Sequence, residues 1–85
     1  MKYRSRTELV SNILEAANGG ATKTKIMYKA FLSYAQLKEY LDILVSNGLI
    51  DHDSTAQSYH TSEKGLKFLN LYNEMDKLVL TPRTP

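Results

Sequence analysis

The chain has 85 residues and no cysteine, and 42% of its residues are hydrophobic while 24% are charged. This length predicts one domain, and the composition excludes a disordered chain and a collagen-like chain. A membrane-spanning protein is excluded because no apolar run approaches the ~20 residues of a spanning helix. The net charge is only +2, but residues 1–38 hold seven basic and two acidic side chains, whereas residues 39–85 hold four basic and seven acidic ones. Such a separation is typical of a protein that offers one face to a polyanion, and an unevenly charged solvated surface is the alternative.

The first helix is predicted to begin after Ser5. The run Ser5-Arg6-Thr7-Glu8 has the spacing of a capping box, in which the Ser hydroxyl and the Glu carboxylate satisfy two backbone amides reciprocally. Apolar residues recur at helical spacing up to Ala17, and Asn18-Gly19-Gly20 ends the helix.

Two further helices follow, joined by a tight turn at Leu32. Thr22 caps the second helix, and its spacing predicts four inward-facing residues: Ile26, Met27, Ala30 and Phe31. Ser33-Tyr34-Ala35-Gln36 is a second capping box and opens the third helix, which ends at Asn47-Gly48. The inner stripe of that helix is Leu37, Leu41 and Leu44, and Tyr34 and Tyr40 beside it are expected to pack at the core edge.

A β-hairpin comes next, with strands at residues 49–52 and 57–60 and a turn between them, and we expect Ile50 and Tyr59 to face the core. Thr61 or Ser62 then caps a fourth helix over residues 62–80, in which Leu66 and Leu69 close the core. Thr81-Pro82 stops this helix. The prediction is one domain over residues 1–80, mainly α with a small β-hairpin, and a flexible tail at residues 81–85.

Two short helices joined by about three residues and followed by a hairpin form a winged helix-turn-helix. An α-helix fits the major groove of double-stranded DNA, so the start of the third helix supplies the candidate base contacts. They are Ser33, Tyr34, Ala35, Gln36 and Lys38. Gln suits adenine, Lys suits guanine or phosphate, and a small Ala allows a close approach to a base edge.

The candidate phosphate contacts are Lys23, Lys25 and Lys29 near the second helix, and Lys2, Arg4 and Arg6 in an N-terminal arm. A solvated lysine face and an idle terminus are the alternatives. The wing offers Ser54, Thr55 and Gln57, which would bind phosphate through neutral hydrogen bonds.

The run from Lys23 to Leu41 resembles the archaeal winged-helix family of small ten-kilodalton DNA-binding proteins, which share the pattern K-T-x-I-M-Y-x-A-x-L-S-Y. Asn47-Gly48-Leu49-Ile50 and the run from Tyr59 to Gly65 resemble the ending shared more widely among winged-helix regulators. The resemblance covers about residues 7–72. It implies a DNA-binding homodimer, either a chromatin-type protein or a transcription regulator, whose last helices pair as an antiparallel coiled coil.

The fourth helix carries a candidate dimer interface, because Phe68, Tyr72, Met75 and Val79 follow the 4-3-4 spacing of a coiled-coil seam. A helix that folds back wholly onto its own domain is the alternative.

We expect no enzyme, no cofactor, no metal site and no small-molecule ligand. His52 and His60 lack the further ligands of a zinc site, and no serine has the context of a catalytic nucleophile. The basic N-terminus is not followed by the apolar core of an export signal, so we expect a cytoplasmic, nucleoid-associated protein without membrane contact. The alternative function is a winged helix that binds another protein rather than DNA.

Overall fold

The computed structural model describes residues 4–80 of the chain, which form four helices and one antiparallel hairpin. The elements in chain order are α1 (Arg6–Ala17), α2 (Lys23–Ala30), α3 (Tyr34–Ser46), β1 (Ile50–Asp53), β2 (Ser58–Thr61) and α4 (Glu63–Leu80). This order confirms the predicted fold class, a mainly helical winged helix-turn-helix. Lys2, the Thr81-Pro82 stop and the predicted tail lie outside the described residues.

Polar caps set the helix starts where the sequence predicted them. Thr22 Oγ1 accepts from the amide of Lys25 at 3.2 Å, and Ser33 forms the full capping box with Gln36. At α1, the described hydrogen bonds include only the Ser5 half of the predicted box, in which Oγ accepts from the Glu8 amide at 3.1 Å. A hydroxyl before a helix therefore predicted its start reliably, whereas the reciprocal side-chain contact is present only at α3, where the neutral amide of Gln36 makes it.

Ser62, rather than Thr61, caps α4. The Ser62 hydroxyl accepts from the Gly65 amide at 3.1 Å and donates to the Gly48 carbonyl at 2.6 Å. The Thr61 hydroxyl donates instead to the Leu14 carbonyl of α1 at 2.6 Å. The Ser62 hydroxyl thus joins the start of α4 to the loop after α3, and the Thr61 hydroxyl joins it to α1.

The core lies where α1, α2, α3 and the start of α4 meet. Its largest fully buried side chains are Ile13, Leu14, Ile26, Leu37, Leu44 and Ile50. Leu69 closes the core as predicted, but Leu66 is 38% exposed, so its predicted core position is wrong. The buried positions of α4 are Gly65 and Leu69, which are four residues apart on one face, so Leu66 lies at the edge of that face. Tyr40 packs against the core edge, whereas Tyr34 is 55% exposed and does not.

Phe31 is the clearest departure from the predicted pattern of α2. It ends the helix in the left-handed conformation, with φ 55° and ψ 53°, and its side chain is 83% exposed. The helical spacing that would have turned Phe31 inward stops one residue earlier, and Leu32 takes the buried position instead. The amides of Phe31 and Leu32 donate to the carbonyls of Tyr28 and Met27, which closes the end of α2.

The hairpin, residues 50–61, is the wing. Its strands pair in the register Ile50 with Thr61, Asp51 with His60, His52 with Tyr59, and Asp53 with Ser58. Tyr59 also pairs with Ala21 in the α1–α2 loop through two hydrogen bonds, of 3.0 Å and 2.8 Å. The wing is therefore joined to the helical body at the point where α2 begins.

The last three turns of α4 keep several apolar side chains exposed: Leu71, Met75, Leu78 and Val79. Within the described part of the chain, no helix is both long and apolar enough to cross a membrane.

Candidate nucleic-acid interface

The predicted recognition residues all lie exposed at the start of α3. Ser33 and Gln36 are engaged with each other: Ser33 Oγ accepts from the Gln36 amide at 3.2 Å, and Gln36 Oε1 accepts from the Ser33 amide at 3.4 Å. A two-point contact with adenine needs both the oxygen and the nitrogen of the Gln amide. Such a two-point contact by Gln36 therefore requires the capping box to open. A single hydrogen bond donated by Nε2 does not, because the box uses only Oε1 of the Gln36 amide. Ala35 and Lys38 project from the same turns of α3.

Lys23 connects the starts of α2 and α3. Its ammonium lies 5.4 Å from the centre of the exposed Tyr34 ring, a cation–π arrangement. Lys23 is also the first residue of α2, where unpaired backbone amides give a partial positive charge. The tyrosine holds the lysine at this helix end, so charge from the side chain and from the backbone is concentrated in one place.

The same lysine borders the α2–wing cleft, an open cavity of about 450 Å³ between the start of α2 and the wing. The residues that line the cleft are Thr22, Lys23, Thr24, His52, Ser54, Gln57 and Tyr59. Two of the three predicted wing contacts, Ser54 and Gln57, thus lie with Lys23. The cleft offers hydroxyl, amide and ammonium donors, the groups that bind phosphate oxygens.

The third predicted wing contact lies elsewhere in the turn. The amides of Thr55 and Ala56 both donate to Asp53 Oδ1, at 3.0 Å and 3.2 Å. The Asp53 carboxylate therefore shapes the wing tip from within, and Thr55 is not among the residues that line the cleft.

The other two lysines of α2 separate from Lys23 and from each other. Lys25 lines a shallow cavity of about 350 Å³ beside the α1–α2 loop and the outer edge of β2. Lys29 lines a groove between α1 and α2 together with Glu15. Of the three, Lys23 and Lys25 flank the wing, whereas Lys29 faces α1.

Arg4 does not extend as the predicted arm residue. Its Nη1 donates to Ala30 O at 2.6 Å and to Asn12 Oδ1 at 3.0 Å, and its Nη2 donates to Phe31 O at 2.8 Å. The guanidinium is thus turned inward onto the end of α2, so Arg4 is not part of a free arm in this structure, and its phosphate contact stays a prediction. Arg6 is exposed on the first turn of α1.

His52 and Tyr59 also line the cleft, and the sequence analysis did not place them there. Their rings stack with centroids 4.4 Å apart and planes 9° apart, and together they form one wall of the cleft. The signal was present in the hairpin: with the strand register fixed, His52 and Tyr59 are cross-strand partners on one face. Among the described residues, no group of three or more His, Asp or Glu is arranged to hold a metal ion.

The candidate dimer residues divide into two sets along α4. Phe68 packs against the domain's own core, and its ring stacks on Tyr72 at 6.5 Å between centroids. Met75 and Val79, with Tyr72 and Asp76, line a shallow groove of about 150 Å³ beyond the core. The apolar stripe thus begins inside the domain and continues onto open surface.

Comparisons with known proteins agree with this architecture. A family model described as a winged helix-turn-helix matches residues 3–80. An uncharacterized protein of Methanocaldococcus jannaschii is 31% identical over 77 residues, which are 89% of this chain and 77% of that protein. The crystal structure of Sso10a-2, a DNA-binding protein from Sulfolobus solfataricus, matches with a TM-score of 0.73 at 25% identity, over 96% of this chain and 100% of that one.

Proposed function

Because the chain belongs to the winged helix-turn-helix family, we propose that it binds double-stranded DNA through the starts of α2 and α3 and the inner side of the wing. The similarity to Sso10a-2, which is described as a DNA-binding protein, supports this proposal. In the proposed complex, the start of α3 enters the major groove, and the α2–wing cleft receives the phosphate backbone that borders the groove.

The position of Lys23 carries the proposal. One side chain touches the recognition helix through the Tyr34 ring and borders the cleft shared with the wing. Three elements that are separate in sequence therefore present donors to one surface. A DNA backbone strand that runs past this surface meets the Lys23 ammonium, the amides at the start of α2 and the hydroxyl of Ser54 in succession.

We propose further that the protein acts as a homodimer, paired through α4. Met75 and Val79 are 56% and 77% exposed, and Leu71 and Leu78 beside them are also exposed. Contact with the same face of a second copy would remove these side chains from water, and a two-fold pair would present two recognition helices to DNA. Such a dimer fits either a transcription regulator at a symmetric operator or a sequence-tolerant chromatin-type protein of the nucleoid.

The experiment is a titration of mixed-sequence duplex DNA at several salt concentrations, with sedimentation of the free protein alongside. We expect a linear fall of log affinity with log salt and a slope of order −4 to −8 for a dimer, since each phosphate contact releases counterions. Comparison with enriched binding sequences then separates a regulator, which prefers one site strongly, from a chromatin-type protein, which does not.

Absence of binding at low salt would refute the proposal and favour a protein partner. The exposed Glu39 and Asp42 on α3, and Asp51 on the wing, are the features that such a partner would use. The DNA titration separates the two functions, because salt-dependent binding supports DNA as the partner and absence of binding at low salt does not.

A further inference from the structure

Arg4 makes a three-point contact that joins the N-terminal segment, α1 and the α2–α3 turn. Its guanidinium donates to the carbonyls of Ala30 and Phe31, 26 and 27 residues further along the chain, and to the side chain of Asn12 on α1. The planar guanidinium suits such forked contacts, and a cation at the C-terminal end of a helix is favoured by the helix dipole.

The turn that Arg4 contacts includes one residue that its own side chain does not stabilise, Phe31. Phe31 adopts a left-handed conformation that costs a non-glycine residue energy, and its ring is 83% exposed, so burial of the ring does not offset that cost. Leu32 is buried, and Ser33 caps α3 immediately afterwards. The direction in which α3 leaves α2 is therefore set within three residues, of which the first is strained.

We propose that Arg4 is a positioning residue, which clamps the α2–α3 turn onto α1 and so fixes the angle at which α3 is presented. Asn12 orients the guanidinium from the α1 side, and the two carbonyls receive it from the turn. The structural part of this proposal stands on the hydrogen bonds alone. Its consequence for DNA, that a loosened turn misplaces the recognition helix, rests on the proposed function.

Native-state hydrogen exchange tests the clamp without DNA. In Arg4→Met, the amides of Phe31 and Leu32, which donate to Tyr28 O and Met27 O, should exchange at least about tenfold faster, the factor that corresponds to ~1.4 kcal/mol. The Tyr59 amide, bonded to Ala21 O in the wing at 2.8 Å, should keep its rate. Arg4→Lys retains the charge but loses the fork, and should give a smaller increase at the same two amides.

Arg6→Met is the matched control, because Arg6 is an exposed arginine two residues away on α1. It should leave all three amides unchanged. Equal acceleration at Phe31, Leu32 and Tyr59 in Arg4→Met would mean that Arg4 supports only global stability, and that result would overturn the proposal. Unchanged exchange in both Arg4 variants would overturn it as well.

A rescue variant adds a second test, in which the measured quantity is the exchange rate of the residue 32 amide. Phe31→Gly, introduced into Arg4→Met, should restore most of the protection at residue 32, because glycine adopts the left-handed conformation without the cost that phenylalanine bears. Continued fast exchange in the double variant would contradict the clamp.

The DNA titration completes the test. Arg4→Met should weaken DNA binding about tenfold with an unchanged salt slope, since Arg4 contributes no phosphate contact in the clamp. If the slope of log affinity against log salt concentration instead became shallower by about 0.9 for each Arg4 replaced, Arg4 would be a phosphate ligand, and that result would overturn the proposal. If the unaltered protein fails to bind DNA while the exchange results hold, the clamp stands and the proposed function fails.

Discussion

Replacement of Lys23 by alanine should weaken DNA binding more than replacement of any other lysine of α2. Lys23 is the residue at which the α2 start, the Tyr34 ring and the α2–wing cleft meet. Lys25 lies at the outer edge of the wing, and Lys29 shares its groove with Glu15. Neither Lys25 nor Lys29 lines the cleft, so Lys23→Ala removes the ammonium group that α2 places there.

The magnitude follows from counterion release. Each phosphate neutralised by the protein contributes about 0.9 to the slope of log affinity against log salt. A dimer carries Lys23 twice, so Lys23→Ala should flatten the slope by about 1.8 and, relative to 1 M salt, weaken binding roughly 60-fold at 0.1 M. A monomeric complex would show half this change in slope.

The assay is a fluorescence anisotropy titration of one duplex at four or more salt concentrations, with circular dichroism to verify the fold. Lys67→Ala is the matched control, because Lys67 is an exposed lysine on α4 and does not line the cleft. Tyr34→Phe tests the ring separately: it keeps the aromatic face, so the slope should stay unchanged. An unaltered slope in Lys23→Ala, or an equal change in Lys67→Ala, would refute the placement of DNA at the cleft.

Three further outcomes can be measured on the free protein. Met75→Glu with Val79→Glu should give monomers in sedimentation velocity, whereas Asn73→Glu, on the polar side of α4, should not; dimers in the double variant would place the interface elsewhere. Gly65→Ala should lower the free energy of unfolding by about 1–3 kcal/mol, because its Cβ would lie 2.6 Å from the Thr61 methyl group and against the Leu49 carbonyl; an unchanged urea midpoint would contradict this close packing. Ser33→Ala should cost ~1 kcal/mol through loss of the capping box, read as a lower melting temperature; the same temperature as the unaltered protein would show that the box adds no stability.

Local signals in the sequence predicted the elements well. Thr22 and Ser33 cap the helices that they were expected to cap, and the α3 stripe is buried as helical spacing requires. These features depend on residues within about one helical turn of each other, so both partners of each contact can be identified from a short stretch of sequence. The order of helices and hairpin then identified the fold.

The failures involve contacts between distant residues or the end of a helix. In the sequence, Arg4 belongs to a basic run, and nothing near it indicates that Ala30 O and Phe31 O will accept hydrogen bonds from its guanidinium. Phe31 continues an apolar pattern that the left-handed turn cuts short. The cleft is formed by α2 and the wing, so the sequence alone did not show that the exposed His52 lines it; that required the strand register and the attachment of the wing.

The pairing of Ala21 with Tyr59 has a consequence for the thermodynamics of binding. Two hydrogen bonds make the α1–α2 loop a one-residue third strand of the wing sheet. A hairpin held only at its base would lose backbone conformational entropy on contact with a ligand, at a cost of about 1–2 kcal/mol for each residue that becomes ordered. This wing is held at its side as well, so much of that ordering is completed when the chain folds. Preorganisation of this kind compensates in part for a wing that carries neither lysine nor arginine.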